Sequence, residues 1–489
     1  MPPAGDDHRR GPDMNSQSEH SASGLEDDLR RAARHNDQGA RLAARGDLAG
    51  AILEFREVLR LVPESPQART NLGNALTQAG IYSHNPAMLA EGMEQQRVAV
   101  RLAPDDPRIR RNLGNAYARA FFLDEAVEEY HAAIRLDPAS LPARVDLGTA
   151  IAALGRYSEA LAILDHAVRL DPMNVEARFA RGGVKMAIGD PIGAWPDLEA
   201  RFERPEGQAR RISGIPIWRG EPCSGTLVIH GLMEGIGDLI QGLRFVPEIR
   251  RRVGSVVLLC HPDLVRLAAP LSGLDRIVTD VTMLPPVEKQ VAPMSLPAIL
   301  GVGPEAMKGD DPYLSPEAAV VDRVRPILAT MPGLKVGIAW QGNPSHPNDP
   351  YRSFPITAME PLAAVPGVEW MALQWGQAIQ QADSAPFPVH SRGLADPGGD
   401  WMDTANAIGA LDLVIGPDSA LIHLAGAMGK PAWVALSTPA EWRWGVSGET
   451  TPWYDSVRLF RQPEPGNWRP AFEQMAAALA NLLRRGSPA

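Results

Sequence analysis

This sequence of 489 residues has little cysteine, no long apolar run and no excess of basic residues, and each shortage excludes a class of protein. Cys223 and Cys260 are its two cysteines, too few for a disulfide framework, and they fit a reducing compartment. No apolar stretch approaches the ~18 residues that a membrane-spanning helix needs. The N-terminal segment lacks the apolar stretch of a secretory signal. We therefore expect a cytoplasmic protein with no transmembrane segment.

Charge and ligand spacing exclude two further classes. The formal net charge of −10 argues against nucleic acid as a partner, because contacts to phosphates need a basic surface. No cysteine and histidine pattern has zinc spacing, and no aspartate pair follows a predicted strand, so no metal site is predicted. The first residues are polar and rich in Gly, Pro, Ser and charge, which predicts a disordered tail over residues 1–27.

The N-terminal third contains an internal repeat. One glycine recurs at separations of 34, 41, 34 and 34 residues, and the long interval carries a seven-residue insertion near Ile81 to Ala87. Glycine there, with a small residue twelve positions later, lets two helices pack closely, and a proline ends the second helix. The pattern resembles the tetratricopeptide repeat family. The recurring glycines are Gly39, Gly73, Gly114, Gly148 and Gly182.

A repeat array of this kind offers a concave surface for a peptide or partner helix. The alternative is that the array only assembles subunits or braces the domain that follows. The fifth repeat has Pro196 inside its second helix and lacks the closing proline, so we expect it to cap the array and pack on the next domain.

The remaining two thirds alternate short apolar strands with helices, which predicts parallel sheets with crossover helices. A first alternating unit begins at Thr226 and a second at Lys335, so we expect two Rossmann-like domains. The last helix, over about 470–485, is expected to fold back over the first sheet.

Three segments carry residues suited to chemistry. In EGIGDLIQGLRF (234–245), Gly235 and Gly237 let the backbone approach a ligand, and Asp238 is either a general base or only a helix cap. In the segment 338–355, Arg352 and Ser353 follow a strand, and Arg352 either grips phosphate or is an exposed loop arginine.

The third segment, 411–431, turns from a strand into a helix. Asp418 and Ser419 precede that helix, whose free N–H groups suit a diphosphate, although the same residues also cap ordinary helices. His423 is either a packed histidine or a phosphate contact. Thr404 lies near the start of a helix upstream, and it is a candidate contact to the nucleobase or the ribose of a nucleotide. Trp442 and Trp444 of EWRWG (441–445), with Trp453, are interpreted as core or interdomain packing, the alternative being a stacking surface.

Taken together, in this order, the three segments and EWRWG resemble glycosyltransferase family 9, the heptosyltransferase-like family, in a form fused to tetratricopeptide repeats. The resemblance covers about Trp218 to Gln462. It implies a GT-B fold, with the nucleotide sugar bound by the second Rossmann-like domain and the acceptor by the first. It also implies inverting transfer without a metal or other cofactor, the nucleotide-diphosphate sugar being the co-substrate.

The resemblance also implies roles for individual residues. Asp238 matches the general base, and Gly235, Gly237 and Gln241 belong to the loop on the acceptor side. Ser419, Ala420 and Gln374 depart from the residues usual in lipopolysaccharide heptosyltransferases, which leaves the sugar and the nucleotide open. The donor-binding set comprises Arg352, Ser353, Gln374, Thr404, Asp418, Ser419, Ala420 and His423.

We therefore predict an α-solenoid followed by a GT-B unit, acting as a glycosyltransferase on a protein or glycan acceptor, with the repeats recruiting that acceptor or a protein partner. One alternative is a non-catalytic scaffold with a degenerate transferase domain. Another is a protein glycosyltransferase similar to O-GlcNAc transferase. The predicted divisions are a tail (1–27), the repeats (28–205), an acceptor domain (206–330), a nucleotide-sugar domain (331–465) and a C-terminal helix and tail (466–489).

Overall fold

The structure is a computed structural model, and it forms two compact units, Met1–Ala150 and Ile151–Ala489. The residues that it describes are 14–83, 85–204, 207–208, 211–303, 312–346, 348–390, 399–438 and 441–485.

The N-terminal part is an array of antiparallel helix pairs, as the repeat predicts. The first helix begins at Met14, so residues 14–27 of the predicted tail are helical, and residues 1–13 lie outside the described residues. The helices are α1 (Met14–Ala44), α2 (Leu48–Leu61), α3 (Pro66–Tyr82), α4 (Pro86–Leu102), α5 (Pro107–Arg119), α6 (Leu123–Leu136), α7 (Leu141–Ala153), α8 (Tyr157–Leu170), α9 (Val175–Ala187) and α10 (Pro191–Leu198).

The recurring glycines lie where the two helices of a repeat touch. A Cβ added at Gly39 would lie 2.6 Å from the ring of Phe55, and one at Gly114 would lie 2.7 Å from the ring of Tyr130. No side chain fits at these positions, because protein interiors are close-packed. The insertion is absorbed by lengthening both helices of its repeat, since α3 and α4 have 17 residues each, against 13 in α5 and 14 in α6.

The second unit contains two parallel sheets, each with the strand order of a Rossmann fold. The first sheet has the order β3-β2-β1-β4 and the second the order β10-β9-β8-β5-β6-β7. Their strands are β1 (Cys223–His230), β2 (Val253–Leu259), β3 (Arg276–Val278), β4 (Lys289–Val291), β5 (Leu334–Ile338), β6 (Val368–Ala372), β7 (Val389–His390), β8 (Leu413–Pro417), β9 (Ala432–Leu436) and β10 (Val457–Arg461).

Each sheet has a switch point, where the chain turns from building one side of the sheet to building the other. In the first sheet it lies between β1 and β4, and in the second between β5 and β8. Ligands of doubly wound sheets bind beyond the carboxyl ends of the strands at this point. Two predicted segments occupy it in the second sheet, because one follows β5 and the other follows β8.

Helices flank both sheets, and one apolar core contains residues of both sheets, while a separate core lies against the second sheet. Trp195 and Leu198 of α10 are buried in the first of these cores beside residues of the first sheet, as expected for a repeat that caps the array. The flanking helices are α11 (Ile236–Gly242), α12 (Val246–Arg250), α13 (Val265–Ala268), α14 (Leu296–Ile299), α15 (Ala318–Ala329), α16 (Asp349–Arg352), α17 (Trp401–Ala410), α18 (Ala420–Ala427) and α19 (Arg469–Arg485), and 3₁₀ turns include Glu199–Glu203, Ile356–Ala364, Gly376–Ser384 and Trp442–Trp444.

The C-terminal helix differs from its prediction. Phe472, Met475 and Leu479 of α19 are buried against strands of the second sheet, not the first. The apolar face of α19 matches the second sheet, whose Trp433 and Phe460 lie in the same cluster. Within the part of the chain that the structure describes, no helix is long and apolar enough to cross a membrane.

Candidate functional site

Two of the predicted segments meet in space. Helix α11 follows β1 of the first sheet, and α18 follows β8 of the second, and the two helices pack together. A Cβ at Gly237 would lie 2.9 Å from Cδ2 of His423 and 3.4 Å from Cα of Ala420. Glycine at position 237 is therefore what allows this approach, and it brings Asp238 beside the turn that begins with Asp418.

Both oxygens of the Asp238 carboxylate are engaged. Oδ2 accepts a hydrogen bond of 3.0 Å from the backbone N–H of Gly235, so the residue does cap its helix. Oδ1 is paired with Nη2 of Arg443, which belongs to the other sheet's domain. The side chain of Asp238 remains 28% exposed, so a substrate can still reach the carboxylate.

Arg443 is the centre of this polar cluster. Its Nε donates to Oε1 of the fully buried Gln241 at 3.0 Å, and its Nη1 donates to Oε1 of Glu441 at 2.5 Å. Burial opposes the charge of Arg443, but Glu441, Asp238 and Asp418 outweigh it and raise the pKa of the guanidinium. Burial raises the pKa of Glu441 to about 7, although Arg443 acts in the opposite direction.

His423 is a packed histidine in this structure. Its ring stacks on Trp444, with centroids 5.3 Å apart, and Nδ1 lies 3.0 Å from the hydroxyl of Tyr454. Burial, reinforced by Arg443, lowers the pKa of His423 to about 3, so the ring is neutral near pH 7. One edge of that ring also bounds the space left at Gly237.

The turn from β8 into α18 has the backbone that its sequence predicts. Ser419 occupies the N-cap position, but its side chain makes no capping hydrogen bond within the described residues. Burial raises the pKa of the Asp418 carboxyl, and the charges of Arg352 and Arg443 partly oppose that effect. The first turn of α18 therefore lies among charged groups of both signs, without a side chain capping it.

The loop after β5 carries Arg352 close enough to influence Asp418. Arg352 pairs with the buried Asp349 at 3.3 Å, and the hydroxyl of Ser353 donates to the same carboxylate at 3.0 Å. Ser353 also accepts the N–H of Gly342 at 3.0 Å. Hydrogen bonds between its own residues therefore hold the loop in place, and Arg352 is only 18% exposed.

Two predicted donor contacts have other surroundings. Gln374 is bonded to the backbone: its Oε1 accepts the N–H groups of Trp340 and Gln341 at 3.0 and 2.9 Å, and its Nε2 donates to two carbonyls. It shapes the strand end after β5. Thr404 is buried in α17, a helix that contacts α18. Both residues stay candidates for the donor site rather than demonstrated contacts.

Sequence reasoning missed the charged residues that hold the site together. Arg443 lies between two tryptophans in EWRWG, a segment that belongs to the resemblance but in which the sequence indicates a role only for the tryptophans. Glu234, next to the glycine loop, pairs with Arg201 at 3.0 Å and accepts the N–H of Met294 at 2.7 Å. An arginine flanked directly by two tryptophans is the signal that would have pointed to Arg443.

Within the described residues, no group of three or more histidine, cysteine, aspartate or glutamate side chains is arranged to hold a metal ion.

Comparisons with known proteins support the repeats most directly. Family models of the tetratricopeptide repeat match residues 36–84 and 123–181. The array is therefore built from tetratricopeptide repeats. Protein FlbA of Caulobacter vibrioides is 28% identical over 331 residues, which cover 62% of this chain and 54% of that protein. The chain thus spans about half the length of this curated relative.

Solved repeat proteins resemble the array at low identity. TTC0263, a tetratricopeptide protein of Thermus thermophilus, is 21% identical with a TM-score of 0.32, covering 36% of this chain and 91% of that one. A MamA structure is 20% identical with a TM-score of 0.29, covering 38% of this chain and 98% of that one. YrrB is 18% identical with a TM-score of 0.27, covering 37% of this chain and 90% of that one.

Proposed function

We propose that this chain is a glycosyltransferase that moves a sugar from a nucleoside-diphosphate sugar to an acceptor hydroxyl. The observation that carries the proposal is the meeting of Asp238 with the Asp418–His423 turn, each at the switch point of its own parallel sheet. The parallel two-sheet architecture is compatible with a GT-B fold, whose donor and acceptor bind between such sheets.

The residues present suit both halves of a transfer reaction. The acceptor oxygen attacks the anomeric carbon while its proton passes to the carboxylate of Asp238. The bond from that carbon to the diphosphate oxygen breaks, and its electron pair leaves with the nucleoside diphosphate. Arg352 and the uncapped first turn of α18 supply the positive potential that stabilises this leaving group.

Donor binding requires some opening of the site. Even a Cβ at Gly237 would meet His423 and Ala420, so no diphosphate fits between the two helices at that point. We infer that the two sheets separate, or that the segment 441–445 moves, when the donor enters. Such closure around a bound substrate is common in enzymes built from two domains.

The repeats are proposed to bind the acceptor or a protein partner. Tetratricopeptide arrays present extended concave surfaces, which suit a peptide or a helix of another protein. This part of the proposal is independent of catalysis. A scaffold that has lost catalytic turnover would still bind its partner through the repeats.

A thermal-shift panel of ADP-, GDP-, UDP-, CMP- and dTDP-sugars tests donor binding. A donor at about 100 times its Kd stabilises the protein by roughly 2.7 kcal/mol. We expect one nucleotide to raise the melting temperature, and Arg352→Gln to abolish that shift. Arg469→Gln is the matched control, because Arg469 pairs with Glu360 and Glu473 at the surface.

Turnover is tested by release of the nucleoside diphosphate from the stabilising donor. Asp238→Asn is expected to lower turnover by about 10²- to 10⁴-fold, the usual worth of a general base, while donor stabilisation persists. Full activity in this variant would refute the assignment of the base. A wild-type chain that is stabilised by none of the sugars would favour the non-catalytic scaffold.

A further inference from the structure

The segment 441–445 reaches from the second sheet's domain to the candidate base in the first. Arg443 in this segment is only 13% exposed, and its guanidinium binds three side chains, those of Asp238, Gln241 and Glu441. Each partner takes a different nitrogen of the planar group. A lysine could not reproduce this arrangement, because its ammonium is a single point charge.

The neighbours of Arg443 fix its position. The guanidinium lies 4.4 Å from the ring centroid of Trp442, a cation–π distance. Trp442 packs edge to face on Trp195 of α10, with centroids 5.9 Å apart, and the buried Trp444 stacks on His423. The side chain therefore lies on one packed aromatic ring, and its three hydrogen-bonded partners fix the direction of the guanidinium.

The backbone of the same segment is secured by a second arginine. Arg461 donates to the carbonyl of Trp444 at 2.6 Å and to that of Gly445 at 3.0 Å. Its hydrogen bonds thus go to the backbone of the segment, whereas those of Arg443 go to side chains. The two arginines therefore have different roles. Arg461 holds the backbone of the segment 441–445, and Arg443 contacts the candidate general base.

We propose that Arg443 is a positioning residue for Asp238, an inference that rests on the proposed transferase function. Gly235 holds one carboxylate oxygen and Arg443 holds the other, so the carboxylate plane cannot rotate about its Cβ–Cγ bond. Each oxygen keeps a further lone pair, and one of these is directed to the proton of the incoming hydroxyl. Gln241 in turn holds Arg443 from the side of the first sheet.

This role predicts a loss in turnover rather than in donor affinity. Small misplacements of a reacting group lower rates by about 100-fold, so Arg443→Gln is expected to reduce kcat by about that factor. The donor KM should change by less than about threefold, because the donor contacts of Arg352 and the α18 turn remain. Arg443→Lys, which keeps the charge without the planar geometry, should recover about a tenth of wild-type turnover.

The experiment measures nucleoside diphosphate release from the sugar of the panel that wild type turns over. It compares wild type, Asp238→Asn, Arg443→Gln, Arg443→Lys and the control Arg461→Gln, each with its melting temperature. A low kcat at a nearly wild-type melting temperature in the Arg443 and Asp238 variants, with the lysine variant intermediate, supports the inference, whereas Arg461→Gln is expected to lower the melting temperature.

Three other results overturn it, and they are distinguishable. A raised donor KM with unchanged kcat in Arg443→Gln would make Arg443 a donor contact. Parallel losses of activity and melting temperature in the Arg443 and Arg461 variants would make it structural. A wild-type chain that turns over none of the sugars would refute the transferase function, and the positioning role with it.

Discussion

Adding one methyl group at Gly237 should separate the two halves of the candidate site. The new Cβ of Gly237→Ala would lie 2.9 Å from Cδ2 of His423, closer than real Cβ atoms come. The imidazole cannot withdraw, because it is stacked on Trp444 and bonded to Tyr454. Cα of Ala420 would lie 3.4 Å from the new Cβ, an ordinary van der Waals contact, so the strain falls on His423.

Two opposing effects set the change in the free energy of unfolding of Gly237→Ala. Overpacking a close contact costs about 1–3 kcal/mol, whereas replacing a helical glycine by alanine gains up to about 1 kcal/mol. The net effect is a destabilisation of about 1–2 kcal/mol. The matched control is Gly183→Ala in α9, where an added Cβ meets nothing within 4 Å, so only the gain applies.

The assay is thermal unfolding of both variants beside wild type, in the absence and presence of the stabilising nucleotide sugar. We expect Gly237→Ala to melt about 1–3 °C below wild type and Gly183→Ala slightly above it. The donor-induced shift should weaken only in the Gly237 variant. If both variants melted above wild type, α11 and α18 would not be in contact, and the site described above would not exist in solution.

Three further predictions concern buried groups. The pKa of His423 falls from 6.5 to about 3 on folding, so its stabilisation is complete above pH 6.5 and is lost as the pH falls towards 3, by on the order of 4 kcal/mol; urea unfolding of wild type against His423→Gln should show this difference. Trp195→Ala should lower the free energy of unfolding by about 3–5 kcal/mol and reduce turnover, because Trp195 supports Trp442; urea unfolding and nucleoside diphosphate release measure the two effects. Burial raises the pKa of the Cys260 thiol to about 12, so Cys260 should resist a disulfide reagent until the protein unfolds, and reaction of the native protein at the rate of free cysteine would contradict its burial.

Much of the fold was predictable because its signals are local. The glycine period of the repeats reflects a contact within one helix pair, such as that of Gly39 with Phe55. The parallel sheets follow from short apolar strands separated by helices, and the observed strand order is one of the few that such a chain adopts. The prediction that α19 packs on the first sheet was wrong, because the apolar face of an amphipathic helix does not specify which of two similar sheets it covers.

The candidate site was predictable only where its groups sit at strand ends. Asp418 directly follows β8, and Asp238 lies in the helix after β1, so the order of strands and helices alone places both near the carboxyl ends of strands. The roles predicted for the donor-binding set remain predictions, since Gln374 bonds the backbone and His423 is packed between aromatic rings. What a side chain does depends on its neighbours, and the sequence does not show those.

Arg443 illustrates why the rest could not be predicted. It contacts Asp238, a residue 205 positions away, and no periodicity or spacing links the two. In sequence it is one arginine among others in a tryptophan-rich stretch, which favours an interpretation as packing. Yet a cation placed among buried aromatic rings is stable only if carboxylates compensate its lost hydration, here Glu441 and Asp238. An arginine in such a segment therefore predicts a buried acidic partner, and the candidate general base is the acid that it meets.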